Sequence, residues 1–193
     1  MTPRPPDVRA GTQQAQELIT GYWDRRAPAY DANQRRQIEP GGLRDAWREV
    51  FREALPPAPC RILDVGTGTG QVAILLAELG HHVTGTDLSD GMLDLARDEA
   101  RGLDPTPDFA VGDAIRPDVP PGSFDAVTAR YLLWTLHAPD HALGSWRRLL
   151  RPGGRLVVCP GRPCRSGSSR AYLPSASCRW RMWKPSPICW IAT

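Results

Sequence analysis

Lysine is almost absent from this chain of 193 residues, in which Lys184 stands alone against 23 arginines. No Gly-Lys-Ser/Thr follows a glycine loop, which excludes a phosphate-binding lysine of the P-loop kind. The five cysteines contain no Cys-x-x-Cys pair. The sequence therefore predicts no metal site, and it predicts reduced thiols in place of a disulfide framework.

Long apolar runs are also missing. No stretch approaches the roughly 18 to 20 apolar residues of a membrane span, and the first 30 residues contain no apolar run resembling a signal peptide. The length fits one domain that can bury a core. We predict a cytoplasmic protein with no membrane partner.

The last part of the chain lacks acidic residues. All 21 of them lie at or before Asp140, whereas ten of the 24 basic residues follow it. Residues 160–193 have neither a helical nor a strand period, and we predict an irregular basic tail. Two explanations stay open. The tail is a frameshifted or otherwise non-native continuation of a GC-rich gene, or it binds nucleic acid, with Trp180, Trp183 and Trp190 stacking on bases.

In the rest of the chain, the spacing of apolar residues predicts the secondary structure. Residues 1–15 are rich in proline and polar side chains and predict a disordered lead-in. Residues 16–159 form the predicted domain, which starts with a helix from Ala15 to Tyr30. The apolar stripe of that helix comprises Leu18, Ile19, Tyr22 and Trp23. A second amphipathic helix, from Leu43 to Leu55, ends at Pro56.

Strands and helices then alternate up to Cys159. The predicted strands are Ile62–Val65, His82–Thr86, Phe109–Val111, Phe124–Ala129 and Arg155–Cys159, and the predicted helices between them are Val72–Leu79, Gly91–Ala100 and Ala142–Leu150. A turn is predicted at Pro152-Gly153-Gly154. Alternation of this kind predicts an α/β fold with a doubly wound, mostly parallel sheet and helices on both faces.

A glycine-rich turn follows the first strand. Gly66, Gly68 and Gly70 remove β-carbons from the turn, so backbone amides can approach a ligand closely. A dinucleotide-binding loop of the form G-x-G-x-x-G would require glycine at position 71, where the chain has Gln71. Because ligands of open α/β sheets bind at the carboxyl ends of strands, we predict a ligand site here.

Two carboxylates follow later strands. Asp87 can accept hydrogen bonds from both hydroxyls of a ribose, or it can cap the helix that follows, a role that Ser89 can also fill. Asp113 can accept a hydrogen bond from an exocyclic amine such as that of adenine, or it can lie in a surface turn.

Taken in order, five segments resemble the motifs of class I S-adenosylmethionine (SAM) dependent methyltransferases. They are Asp64-x-Gly66-x-Gly68-x-Gly70, Asp87, Gly112-Asp113-Ala114, Phe124-Asp125-Ala126-Val127 and Leu149–Leu156. The stretch from Tyr22 to Val158 is similar to the small-molecule branch of that family. The resemblance implies a Rossmann-like fold, SAM as the cofactor and methyl transfer to a small-molecule acceptor.

The resemblance also implies a set of cofactor-binding residues. Gly66 to Gly70, with Thr67, would pass beneath the methionyl part of SAM, and Asp64 would brace this loop. Asp87 would hold the ribose. The residues implied near the adenine are Leu88, Met92, Asp113 and Ala114. Tyr30, in a segment that resembles the lid of the small-molecule branch, either covers the cofactor or packs in the core.

The sequence names no catalytic residue. Arg130, after the fourth strand, can bind a carboxylate of cofactor or acceptor, or it can be solvated. His137 and His141 are either general bases or surface residues. His81 and His82 begin a strand and are interpreted as structural.

The chain departs from the family after Cys159, where a helix and two further strands are expected. We predict that the sheet lacks these last strands, so that Leu156–Val158 forms an exposed edge open to self-association. The alternative to an active enzyme is therefore a SAM-binding protein with little or no turnover.

Overall fold

The computed structural model describes residues 8–38, 43–159, 180–182 and 190–192. The helices are α1 (Val8–Ile38), α2 (Leu43–Ala54), α3 (Gln71–Glu78), α4 (Asp90–Glu99) and α5 (Pro139–Leu149), with a 3₁₀ turn at Leu133–Thr135. The strands are β1 (Arg61–Val65), β2 (His82–Asp87), β3 (Asp108–Val111), β4 (Phe124–Arg130), β5 (Leu150–Cys159), β6 (Trp180–Met182) and β7 (Trp190–Ala192).

The strands form one sheet in the order β3-β2-β1-β4-β5-β7-β6. Strands β1 to β5 pair in parallel, and β7 runs antiparallel to both β5 and β6. The prediction of a mostly parallel, doubly wound α/β fold is confirmed. All five parallel strands end at the same edge, which places the segments after β1, β2, β3 and β4 next to one another.

Helices cover both faces of the sheet. Ile62 of β1 belongs to one buried cluster, together with Trp47 and Phe51 of α2 and the apolar side of α3. Its neighbour Leu63 belongs to a second cluster, together with Trp146 of α5. Successive strand residues point to opposite faces, so a strand buried on both sides has a continuous apolar sequence.

The prediction that the sheet lacks its last strands is wrong. Residues Leu156, Val157 and Val158 of β5 pair with β7, and β6 adds a further strand beyond it. The edge predicted for self-association is thus paired within the chain along these three residues. Strands of three residues are too short to produce a visible alternation, which explains why the sequence did not reveal them. The other residues of the predicted basic tail lie outside the described part.

Helix α1 is longer than predicted and less buried. It begins at Val8, so residues 8–15 are helical where a disordered lead-in was predicted. Glutamine and alanine favour helix in this stretch, and no proline follows until Pro28. The predicted apolar stripe is largely exposed, since Leu18 keeps 70%, Tyr22 46% and Ile19 41% of its surface accessible.

Strand β5 begins earlier than predicted. Leu150 already pairs with Phe124, and the register then shifts so that Ala126 pairs with Arg155. The predicted turn at Pro152-Gly153-Gly154 is therefore an irregularity inside the strand, because the extra residues are accommodated as a bulge. Among the described residues, no helix is long and apolar enough to cross a membrane.

Candidate functional site

A cavity of about 290 Å³ lies at the carboxyl edge of the parallel strands, with α1 on one side. Its lining includes nine of the predicted residues: Tyr30, Gly66, Gly68, Asp87, Leu88, Met92, Asp113, Ala114 and Arg130. Residues from the ends of four different strands thus meet at one place, as the strand order requires.

Three predicted residues do not line this cavity. Asp64 and Thr67 border a smaller polar pocket, together with Arg130. Gly70 packs against α4, because a β-carbon at this position would lie 2.9 Å from the β-carbon of Ala96. Asp64 and Gly70 therefore shape the glycine loop from behind.

The glycine loop presents its backbone to the cavity at Gly68. This residue has a φ of +56°, and a β-carbon there would point into space whose nearest atom is Cε1 of Tyr30, at 3.8 Å. Only a residue without a side chain leaves that space free at a positive φ.

Asp87 is held by backbone amides. Its Oδ2 accepts a hydrogen bond from the N–H of Gly68 (2.9 Å), and its Oδ1 accepts one from the N–H of Ser89 (3.1 Å). Burial raises the pKa of its carboxyl, and these amides oppose the increase. Ser89 itself caps α4 by accepting from the N–H of Met92. Since a carboxylate offers about four acceptor sites, Asp87 keeps acceptor capacity for ligand hydroxyls.

Asp64 is completely buried beneath the loop. Its two carboxylate oxygens accept hydrogen bonds from the hydroxyls of Thr67 (2.7 Å) and Thr128 (2.6 Å). Burial raises the pKa of this carboxyl to about 6, although both hydroxyls favour the charged form. Asp64 therefore ties the glycine loop to β4.

Arg130 is packed, not solvated. Its guanidinium lies 5.4 Å from the ring centroid of Trp47 and 4.8 Å from that of Tyr131. One of its nitrogens donates to Oε1 of Gln34 at 3.2 Å. Tyr131 adopts a left-handed conformation (φ 59°), in which its N–H donates to the carbonyl of Cys159. Two aromatic rings thus hold a cation where the large cavity and the polar pocket meet.

Asp113 and Tyr30 are two further polar residues of the lining. Oδ1 of Asp113 accepts from the N–H of Ile115 at 2.8 Å, which leaves Oδ2 available for a ligand amine. Burial raises the pKa of the Tyr30 phenol, so its hydroxyl stays protonated at neutral pH. The ring edge of Tyr30 contacts Trp23 (centroids 5.6 Å apart).

The histidines separate into different environments. His137 lines the cavity, whereas His141 is an exposed residue of α5 outside its lining. His81 is buried, and burial lowers its pKa. His82 begins β2. Of the two predicted candidates for a general base, only His137 faces the cavity.

Two polar contacts hold α1 against α4. Oδ1 of Asp24 accepts from the hydroxyl of Ser89 (2.5 Å) and from the N–H of Gly91 (3.3 Å) at the start of α4. Arg35 pairs with Glu99 near the end of α4. Helix α1, which borders the cavity, is therefore attached to both ends of α4.

Sequence reasoning missed part of the lining. Gln16, Thr20 and Gln34 reach the cavity from α1, and Leu132, Trp134, Thr135 and Leu136 reach it from the segment after β4. The polar residues on α1 share a side with Trp23 and Tyr30 at helical spacing, a signal that could have indicated them. The loop residues carry no motif, and only the fold brings them to the site.

The fold and the site together define a class. A glycine loop after β1 and a carboxylate at the end of β2 face one cavity of a doubly wound sheet, which is the arrangement of a Rossmann-like domain for a nucleoside-containing ligand. The residues present fit such a ligand, since Asp87 offers free acceptor sites and Gly68 leaves open space.

Comparison with known proteins identifies the family to which this nucleoside-binding domain belongs. The family described as "Methyltransferase domain" matches residues 63–158. Demethylmenaquinone methyltransferase of Deinococcus radiodurans is 38% identical over 169 residues, which cover 85% of this chain and 68% of that enzyme. The chain belongs to the class I SAM-dependent methyltransferases, whose cofactor is SAM.

Solved structures agree with this assignment. A SAM-dependent methyltransferase from Mesorhizobium loti matches with a TM-score of 0.53 and 29% identity, over 60% of this chain and 53% of that one. The 4+2 cyclase SpnF matches with a TM-score of 0.56 and 36% identity, over 59% of this chain and 43% of that one. The chain thus spans only about half of these two proteins.

Proposed function

We propose that this chain transfers a methyl group from SAM to a demethylated quinone, the kind of acceptor named for its Deinococcus relative. The observation that carries the proposal is the meeting of Gly68, Asp87, Met92 and Asp113 around one cavity. SAM, when bound, supplies an electrophilic methyl group on a sulfonium.

Each residue proposed to bind the cofactor contacts the part of SAM that suits its chemistry. Asp87 accepts hydrogen bonds from the ribose hydroxyls, and Oδ2 of Asp113 accepts one from the adenine amine. Leu88 and Met92 supply apolar contact to the base. Arg130, held between two rings, binds the carboxylate of the amino-acid end.

The apolar part of the cavity lining suits a flat apolar acceptor. It includes Trp23, Leu132, Trp134 and Leu136, and His137 is a titratable residue of the same lining. The acceptor in this step is the reduced, quinol form of the quinone, which carries ring hydroxyls. We propose that His137 accepts a proton from one of these hydroxyls, which raises the electron density of the ring. The ring carbon that gains the methyl group then loses its hydrogen as a proton, and the hydroxyl is restored by the proton held on His137. The remaining contribution is proximity and alignment, since methyl transfer from a sulfonium needs the two reactants held in line.

The test combines binding with product analysis. Calorimetric titration should show binding of SAM and S-adenosylhomocysteine. Incubation with SAM and chemically reduced demethylmenaquinone should then yield S-adenosylhomocysteine and a product heavier by one methylene unit, as measured by mass spectrometry. Binding of NADH in place of SAM by folded protein would contradict the proposal.

The 36% sequence identity with the 4+2 cyclase SpnF favours a second candidate function. In this alternative the chain is a cyclase, and its cavity holds a folded polyene. A shaped apolar cavity lowers the entropic barrier of a cyclisation without a methyl donor. Production of S-adenosylhomocysteine distinguishes the two candidates, because a cyclisation consumes no SAM. The comparisons favour neither a module that binds nucleic acid nor a catalytically impaired protein.

A further inference from the structure

The outer face of α1 (Leu18, Ile19, Tyr22, Arg25 and Arg26) is apolar at one end and basic at the other. All five residues are exposed, and they fall within about a third of the helix circumference at 3.6 residues per turn. Large apolar side chains on one exposed helix face are unusual unless another surface covers them.

The charges on this face have one sign. Arg25 and Arg26 form no ion pair among the described residues, and the guanidinium of Arg26 lies 5.3 Å from the ring centroid of Tyr22. The acidic residues Glu17 and Asp24, seven positions apart, share a different side of α1. On that side Asp24 bonds to the start of α4. The outer face therefore presents cations and apolar groups without acids.

The cavity opens beside this face. Ile19 lines the cavity while keeping 41% of its surface exposed, and Trp134 of the 3₁₀ turn also lines it with 71% exposed. Exposed aromatic and aliphatic side chains thus continue from the outer face of α1 to the mouth of the cavity.

We propose that the outer face of α1 docks on an anionic lipid bilayer, in contrast to the prediction from the sequence that the protein has no membrane partner. An interfacial helix combines leucine and aromatic side chains, which enter the headgroup region, with arginines that contact anionic lipids. A second copy of the chain is the alternative occupant, and the experiment below distinguishes it from a bilayer.

One consequence rests on the proposed function. With the outer face on lipid, the cavity mouth between Ile19 and Trp134 lies at the bilayer surface. An apolar acceptor then enters from the bilayer without crossing water. Docking itself does not depend on methyl transfer, because it is measured as binding to vesicles that contain no acceptor.

The experiment is co-sedimentation of the full chain with phosphatidylcholine vesicles containing phosphatidylglycerol. The wild-type chain should bind these vesicles, and it should bind pure phosphatidylcholine at least tenfold more weakly. Two double variants, Leu18→Ser/Tyr22→Ser and Arg25→Gln/Arg26→Gln, should each weaken binding about tenfold or more. None of these four residues lines the cavity.

The matched control is Arg61→Gln/Arg151→Gln, which removes the same charge at the opposite, amino edge of the sheet. This control should leave vesicle binding within about twofold of the wild type. Equal losses in the control and in the α1 variants would overturn the proposal, because binding would then follow overall charge. No binding of the wild type, or a dimer that Leu18→Ser/Tyr22→Ser converts to monomer without any vesicle binding, would also overturn it.

Discussion

Asp87 carries two roles that single substitutions can separate. Its carboxylate fixes the amides of Gly68 and Ser89, and its remaining acceptor sites face the cavity. Replacement by alanine should weaken SAM binding by about 1.5 to 3 kcal/mol, since hydrogen bonds to a charged group are lost. Calorimetric titration measures this loss.

The matched control is Asp94→Ala, which removes an exposed carboxylate from α4 whose described partner is Arg97. SAM affinity should stay within error of the wild type. Ser89→Ala provides a second comparison, because it removes the helix cap and leaves Asp87 in place. If Asp87→Ala and Ser89→Ala had the same small effect on SAM affinity, Asp87 would be a structural residue only.

Asp64 makes stability depend on pH. Its pKa is about 6 in the folded chain against an ordinary value of 3.8, so the folded state retains a proton that the unfolded chain has released. Stability therefore falls as pH rises from about 4 to about 6, by about 3 kcal/mol in all, of which roughly half is lost above pH 5. The melting temperature of Asp64→Asn, relative to the wild type, should increase from about pH 5 to about pH 8.

Asp125→Asn is the control for this titration. The backbone N–H of Arg61, followed by the side chain of Arg151, lowers the pKa of Asp125. This carboxyl is ionised in both states above about pH 5, so its variant should show a constant offset in melting temperature. A constant offset for Asp64→Asn as well would show that Asp64 is ionised throughout this range.

The site residues that belong to a local sequence motif could be predicted from the sequence. The site residues that only the folded chain brings to the cavity could not. The positions after β1, β2 and β3 follow from local patterns, so Gly68, Asp87 and Asp113 were identified from the sequence. Gln34 reaches Arg130 from 96 positions away, a contact that no local pattern encodes. The packing of Arg130 between two rings depends on the same long-range contacts.

At the level of elements, the fit between α3 and α4 depends on Gly70. This residue has a φ of +78°, and a β-carbon there would lie 2.9 Å from that of Ala96. Gly70→Ala should destabilise the chain by at least about 1 to 2 kcal/mol, because it adds both backbone strain and a steric overlap. Chemical denaturation measures the change.

Gly144 offers the opposite case inside α5. A β-carbon at this position would meet no atom within 4 Å, and its φ is not left-handed. Gly144→Ala should therefore stabilise the chain by about 0.5 to 1 kcal/mol through the lower entropy of the unfolded state. Destabilisation by both substitutions would contradict the packing described for α5.

The pairing of β7 with β5 is also testable at this level. Ile191 sits opposite Val157 on one side and Arg181 on the other. Ile191→Pro removes a backbone donor and should lower stability by about 1 to 3 kcal/mol. Thr193→Pro, one residue beyond the strand, is the control. If neither variant changed the melting temperature, the result would support the exposed edge of β5 that was predicted from the sequence.

The core elements were the predictable ones. Strands β1 to β4 and helices α3 to α5 bury continuous or periodic apolar residues, so their pattern reveals them within a few positions. Strands β6 and β7 have three residues each, and the early start of β5 depends on a bulge. Their positions follow from pairing with a neighbour and not from local composition.

For the whole molecule, we expect the attachment of α1 to α4 to determine the order in which the methyl donor and the acceptor bind and leave. Asp24 accepts two hydrogen bonds at the start of α4, directly beside the segment that carries Asp87 and Leu88. We expect a nucleoside beneath α1 to leave after those bonds break. We expect the acceptor to enter past Ile19 and Trp134, two cavity-lining residues that keep 41% and 71% of their surface exposed.

The kinetics should therefore follow a compulsory order, in which the donor binds first and the demethylated donor leaves last. S-adenosylhomocysteine should inhibit competitively against SAM and noncompetitively against the acceptor. Asp24→Ala should shorten the residence time of S-adenosylhomocysteine about tenfold, as measured by stopped flow, whereas Asp94→Ala should not change it. When release of the spent donor limits turnover, loosening α1 makes the enzyme faster while it binds its donor less tightly.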